Sequence, residues 1–154
     1  MLDGFARHGL FDLKVNVAGD LAVDKCFIHR QNTASVAPDS LLVTNGLLNG
    51  IAQNNTCIFN CMMTVHCKIS GRPYLVFDGE FTTDRVGYMD TEMVKEFFYA
   101  ISYTEGMNLH IRVLSGGNNH HMIEAMFKAF AKALDQATVI DPRITDILST
   151  KGSL

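Results

Sequence analysis

One stretch decides the fold of this chain: Asn118-Asn119-His120-His121-Met122-Ile123-Glu124-Ala125-Met126-Phe127-Lys128-Ala129-Phe130. Asparagine is a common helix cap, and the apolar residues that follow recur at helical spacing. Because a helix repeats about every 3.6 residues, His120, Glu124 and Lys128 fall on one face. Two imidazoles and a carboxylate at a helix start suit Mn²⁺, Fe²⁺ or Zn²⁺. A capped helix with these side chains in solvent is an equally good interpretation of the motif alone.

Length and composition indicate one globular domain. The chain has 154 residues, of which 47% are hydrophobic and 19% charged, which excludes a disordered protein. A net charge of −3 indicates neither a nucleic-acid partner nor a membrane surface. Met1-Leu2-Asp3-Gly4 lacks the features of a secretory signal, and the four cysteines favour a reducing compartment. We therefore expect a cytoplasmic protein, or a plastid one in a plant.

Periodicity outside the motif predicts an α+β, two-layer sandwich of a sheet and helices. Two amphipathic helices are predicted, one capped at Asp90 or Thr91 and ended by Gly106, the other capped at Asn118 or Asn119 and ending near Gln136. The predicted strands are 9–17, 65–70, 74–81 and 107–114. The turn between the second and third of these is Gly71-Arg72-Pro73.

The segment from Lys25 to Lys68 differs in composition from the rest of the chain. It contains all four cysteines and only one of the sixteen acidic residues, Asp39. Such a shift marks a linker, a second domain or a change of origin, and the apolar content is too high for a flexible linker. Cys57, Cys61, His66 and Cys67 match no common zinc-binding spacing well, and we interpret His66 as structural or incidental.

Several stretches in order resemble imidazoleglycerol-phosphate dehydratases, the manganese enzymes of histidine biosynthesis. They are residues 1–24, Ile69-Ser70-Gly71-Arg72-Pro73-Tyr74-Leu75-Val76-Phe77, Asp90-Thr91-Glu92-Met93-Val94-Lys95-Glu96-Phe97-Phe98, Leu109-His110-Ile111-Arg112, the double-histidine motif and Ser149-Thr150-Lys151-Gly152. The resemblance implies a fold of two duplicated halves, similar to domain 2 of ribosomal protein S5. Residues 1–68 would be a remnant of the first half, lacking its early strand and Asp-His ligand, and 69–154 a nearly complete second half.

The resemblance also assigns roles to individual residues. It implies that His110, His120, His121 and Glu124 are ligands of Mn²⁺, two ions per site in the intact family. Among these, Glu124 and His120 are the residues that we expect to be catalytic. It implies that Arg72, Lys128, Ser149 and Lys151 bind the substrate phosphate. From the residues alone, Lys128 is equally an ion-pair partner of Glu124 one turn away.

The chain departs from the family where an earlier Asp-His-His-x-x-Glu-Asp motif is expected. It has Lys25-Cys26-Phe27-Ile28-His29-Arg30-Gln31 there. Codons for Met62-Met63-Thr64 contain Asp-Asp in a shifted frame, which resembles the family's acidic pair at this place. We therefore hypothesise an out-of-frame segment near 25–68, with a divergent but genuine insert as the alternative. Either way, a two-metal site cannot be completed within this chain.

Two candidate functions follow from the resemblance to this family and from the missing earlier ligand motif. The first is dehydration of imidazole glycerol phosphate, a small phosphorylated substrate, with little activity expected of this chain. The second is a non-catalytic homologue that keeps the fold and binds one metal ion. The resemblance implies self-association, because the family forms 24-subunit shells from trimers, but we expect this chain to form poorly defined oligomers. Neither nucleic acid nor a membrane is an expected partner.

Overall fold

The computed structural model describes residues 1–14, the backbone of 51–58, residues 61–139 and residues 142–143. Over these residues the chain is a two-layer α+β sandwich, as predicted, with helices on one face of a four-stranded sheet. The helices are α1 (Leu2–Gly9), α2 (Glu92–Thr104) and α3 (Asn119–Ala137). The strands are β1 (Ile51–Ile58), β2 (Cys61–Ile69), β3 (Tyr74–Asp78), β4 (Arg85–Val86), β5 (Met89–Asp90) and β6 (Met107–Ser115).

The main sheet has the strand order β1-β2-β6-β3. β2 pairs antiparallel with both β1 and β6, whereas β3 pairs parallel with β6. The predicted turn at Gly71 therefore does not close a hairpin but passes the start of β6. A side chain on Gly106 would come within 3.0 Å of the Gly71 backbone. Both glycines have positive φ, so the crossing requires residues without a Cβ atom.

The core lies between the sheet and the helices. β2 alternates buried and exposed side chains along its length, and its buried residues face those of β6. The buried side chains of these strands are Cys61, Met63, Val65, Cys67, Met107, Leu109 and Ile111. α3 packs on β1 and β2, and α1 packs on α3. None of the helices in the described ranges is long and apolar enough to cross a membrane.

Aromatic rings connect the helices to each other. The Phe98 ring of α2 lies 5.2 Å from Phe127 and 5.5 Å from Phe130 of α3, between ring centroids. Phe130 also stacks on Phe5 of α1 at 5.5 Å. Phe98 is fully buried, and aromatic pairs at these distances add stabilisation beyond the area that they bury. Phe130 of α3 therefore joins α1 to the apolar stripe of α2.

The strand predicted for residues 9–17 is wrong for residues 9–14, and its remainder lies outside the described residues. The first helix ends at Gly9, and Leu10 adopts the left-handed conformation with φ 57°. The Phe11 N–H then donates to the Ala6 carbonyl at 3.0 Å, and the Phe11 ring stacks on Phe5 at 5.3 Å. Residues 9–11 therefore close a helix C-terminus, with a hydrophobic contact, and do not begin a strand.

The segment of unusual composition contributes two strands to the sheet. β1 comes entirely from it, and β2 begins in it at Cys61 and ends at Ile69. The predicted strand 65–70 is thus confirmed but starts four residues earlier than expected. The predicted division between residues 68 and 69 falls inside β2. The end of this segment at Lys68 therefore does not coincide with the end of a strand.

Stability is expected to fall at alkaline pH because of Cys67. Burial raises the pKa of this thiol from 9.0 to about 12. Above pH 9 the unfolded chain loses this proton while the folded chain keeps it, so the free energy of unfolding decreases as pH rises towards 12. The decrease is up to about 1.4 kcal/mol per pH unit. Urea unfolding of the wild type and Cys67→Val across this range measures it, and equal pH slopes would contradict the assignment.

Candidate functional site

The double-histidine motif begins α3, as predicted. Asn118 caps this helix through its side-chain oxygen, which accepts a hydrogen bond from the His121 backbone N–H at 3.2 Å. The cap satisfies one of the backbone donors that every helix start leaves unpaired. Because consecutive residues on a helix point about 100° apart, His120 and His121 diverge. Their ring centroids are 6.0 Å apart in an edge-to-face arrangement.

The start of α3 is also anchored to the loop before the β4–β5 hairpin. Asn119 is buried, and its side-chain oxygen accepts from the Thr82 N–H at 3.2 Å while its amide nitrogen donates to the Thr83 hydroxyl at 2.6 Å. The Thr91 hydroxyl donates to the Thr83 carbonyl at 2.8 Å, which ties the same loop to the start of α2. This partly buried network of hydrogen bonds orients the first turn of α3.

Glu124 lies between a lysine and a histidine on one face of α3, as the helical spacing predicted. The Lys128 ammonium contacts its Oε1 at 2.6 Å, and the His120 Nε2 lies 3.9 Å from its Oε2. The hydrogen bond from Lys128 lowers the pKa of the Glu124 carboxyl, and the charges of Lys128 and the histidines add to this effect while burial opposes it. The carboxylate is therefore ionised at neutral pH, the form in which it binds a cation.

His110 lies on the other side of the sheet from this face. It is exposed on the outer face of β6, directly opposite His66 of β2, and its ring is 6.3 Å from Tyr74. The helices cover the inner face, where the neighbouring residues Leu109 and Ile111 are buried. His110 and the α3 histidines therefore do not meet within one chain.

The predicted phosphate-binding residues are also separated. Arg72 is exposed in the turn beside the first residues of β6, whereas α3 begins beyond the last residue of that strand. Lys128 is half-buried on α3. Ser149 and Lys151 lie outside the described residues. Arg72 and Lys128 thus lie on different elements of the fold, the turn before β3 and the middle of α3.

The donors on α3 have the right chemistry for a metal ion but are too few. Imidazole and carboxylate suit Mn²⁺, Fe²⁺ and Zn²⁺. Nowhere in the described ranges do three or more His, Cys, Asp or Glu side chains converge as a metal site would require. Cys61 and Cys67 face the core and His66 faces outward, so these residues do not form a zinc site either. His120 and Glu124 alone therefore offer fewer donors than a metal site needs.

Comparison with protein families places the chain in a known family. The model of the family described as imidazoleglycerol-phosphate dehydratase matches residues 1–134. A protein of that name from Lachnoclostridium phytofermentans is 50% identical over 159 aligned residues, which cover all of this chain and 80% of the relative. The protein of that name from Acetivibrio thermocellus is 43% identical, with the same coverage.

Two solved structures share the fold. Imidazoleglycerol-phosphate dehydratase from Staphylococcus aureus has a TM-score of 0.76 and 32% identity, over 91% of this chain and 81% of that one. IGPD from Pyrococcus furiosus, crystallised in complex with (S)-C348, has a TM-score of 0.67 and 25% identity, over 99% of this chain and 83% of that one.

Proposed function

Because the chain belongs to the imidazoleglycerol-phosphate dehydratase family, whose members are hydro-lyases, we propose that it supplies part of a Mn²⁺-dependent site that eliminates water from imidazole glycerol phosphate. The observation that supports this most is the Glu124 carboxylate, which is ionised and has one oxygen facing His120. His120 and Glu124 would hold the metal ion together. When bound, the ion would act as a Lewis acid that stabilises the substrate imidazole as it loses a proton.

Lys128 fits a second role beside this carboxylate. Its ammonium is held at Oε1 of Glu124, on the side away from His120. A half-buried ammonium fixed in this way offers a positioned charge for a substrate phosphate. The phosphate and the imidazole ring of one substrate would thus be oriented along a single helix face.

The complete site requires more than one copy of the chain. His110 is on the opposite side of the sheet from Glu124, and Arg72 lies in the turn before β3. If these residues serve one reaction, each site combines residues from neighbouring subunits. Self-association is therefore part of the proposal, by analogy with the trimers and 24-subunit shells that the resemblance implies.

A non-catalytic homologue is the second candidate function. It is supported by the absence of three converging metal ligands in the part of one chain that the structure describes. It is also supported by Lys25-Cys26-Phe27-Ile28-His29-Arg30-Gln31, which replaces the family's earlier ligand motif. In this case the chain keeps the α3 ligands, binds one metal ion and lacks the second.

Turnover and metal content distinguish the two functions. With Mn²⁺ and imidazole glycerol phosphate, we expect the chain to turn over about a hundredfold to a thousandfold more slowly than the Lachnoclostridium phytofermentans relative, a loss of the size that follows removal of one electrostatic catalytic group. We expect one metal ion or none per chain by elemental analysis. Turnover within tenfold of the relative, together with two ions per chain, would contradict the second function and establish an active enzyme.

A further inference from the structure

Two histidines face each other across the outer surface of the sheet. In the antiparallel register of β2 and β6, His66 lies directly opposite His110, and both side chains are exposed. They line an open groove of about 270 Å³ together with Lys68, Asn108 and Cys67. His66 comes from the segment of unusual composition, and the zinc-binding spacing considered above does not pair it with His110.

The geometry of the sheet suits joint binding of one metal ion by this pair. Side chains directly opposite in an antiparallel sheet have Cβ atoms about 4.5–5.5 Å apart. Imidazole nitrogens bind Zn²⁺ at about 2.0–2.1 Å, so two rings from adjacent strands can reach the same ion. Exposed side chains change rotamer within nanoseconds, and neither histidine must leave a buried position to do so.

The neighbouring residues define the ligand set. The Cys67 side chain is 1% exposed and faces the core, so this residue contributes only its backbone to the groove. Burial also raises the pKa of its thiol to about 12, which keeps it protonated and unsuited to metal binding. Lys68 brings a positive charge, and Asn108 brings a carboxamide oxygen. The two imidazoles are therefore the principal donors.

We propose that His66 and His110 form a metal site on the outer face of the β2–β6 ladder, separate from the ligands on α3. Imidazole donors suit Cu²⁺, Ni²⁺ and Zn²⁺ better than Mn²⁺, which prefers oxygen ligands. The site binds these ions in one chain and needs no partner subunit. The inference goes beyond the proposed dehydratase function and does not depend on it.

The test is a calorimetric titration of the full chain with Ni²⁺ near neutral pH, in a Glu124→Gln background that weakens the α3 ligands. His66→Ala and His110→Ala are each expected to weaken Ni²⁺ binding at least about tenfold, the lower range for perturbing a metal site. The double variant should lose little more than either single variant, because removal of one imidazole already breaks the pair. His8→Ala, which removes another exposed histidine, is the matched control and should change nothing.

Three outcomes would overturn the site. One is Ni²⁺ binding that is insensitive to His66→Ala, and another is Mn²⁺ binding tighter than Ni²⁺ in the same background. The third is Ni²⁺ binding that depends on His110 but not on His66. His110 would then belong only to the proposed dehydratase site. Substitution of exposed residues rarely changes stability by more than about 0.5 kcal/mol, so misfolding is not an expected cause of lost binding. Mn²⁺ titration of the Glu124 variant tests the dehydratase proposal separately.

Discussion

Replacing Phe98 with alanine is expected to lower the free energy of unfolding by about 3–5 kcal/mol. Phe98 is fully buried, and its ring contacts Phe97 at 5.2 Å as well as the two phenylalanines of α3. Truncation removes apolar area from the core and leaves a cavity between α2 and α3. The cavity remains because both helices rest on the sheet and cannot move together to fill it. Urea unfolding measures the effect, as a lower midpoint at an unchanged slope.

Phe97→Ala is the matched control for this prediction. Phe97 is the neighbouring ring on the same helix but is only half-buried, so we expect its truncation to cost less than half as much. Phe98→Leu keeps most of the apolar volume, so we expect this variant to fold even if the alanine variant does not. Equal losses for the Phe97 and Phe98 variants would contradict the central position of Phe98 in the helical layer.

Much of the fold could be predicted because the decisive elements carry strong periodicity. The helix that begins at Asn119 has a capping asparagine, buried residues at helical spacing and no internal glycine or proline. The strand from Met107 to Ser115 alternates buried and exposed residues over its first half. Gly106 ends the helix before this strand with a positive φ, as its position in the sequence indicated.

Other features could not be predicted because long-range contacts determine them. Ser102 interrupts an apolar stripe, yet it is fully buried, since its hydroxyl is 2.7 Å from the Met107 carbonyl and 3.0 Å from that of Tyr74. The sequence predicts Asn119 only as an alternative cap of α3, but its side chain holds a loop 37 residues away in sequence. The one available signal was the Asn-Asn pair, because only one of two adjacent asparagines can cap the same helix.

In the candidate site, too, the local arrangement of residues could be predicted and the long-range arrangement could not. Helical periodicity placed His120, Glu124 and Lys128 on one face, and the structure agrees. Periodicity could not show that His110 lies on the far side of the sheet, because the side on which this residue lies depends on how β6 pairs with β2. Resemblance to a family indicates which residues take part in one reaction, but not whether they come from one subunit or from several. A site shared between subunits therefore has the same sequence motifs as a site within one subunit.

Replacing Glu124 with glutamine is expected to weaken Mn²⁺ binding more than about a hundredfold. Loss of groups that merely support metal ligands costs about 10–100-fold, and Glu124 is proposed to be a ligand itself. Glutamine keeps the size and shape of the side chain but removes the charge that attracts the ion. The helix should stay intact, because a partly exposed i,i+4 ion pair contributes only about 0.3–0.5 kcal/mol. Isothermal titration with Mn²⁺ measures the affinity, and circular dichroism measures the fold.

Lys128→Met is the control that distinguishes the loss of a metal ligand from the loss of the ion pair. Both substitutions break the 2.6 Å contact between Lys128 and Glu124, but only Glu124→Gln removes the carboxylate. Because the ammonium competes with a cation for this carboxylate, Lys128→Met should bind Mn²⁺ at least as tightly as the wild type. Loss of Mn²⁺ binding in both variants would mean that the ion pair orients the helix face, and Glu124 would no longer qualify as a ligand. If Mn²⁺ binding survives in Glu124→Gln, the metal is held elsewhere and the proposed role of α3 fails.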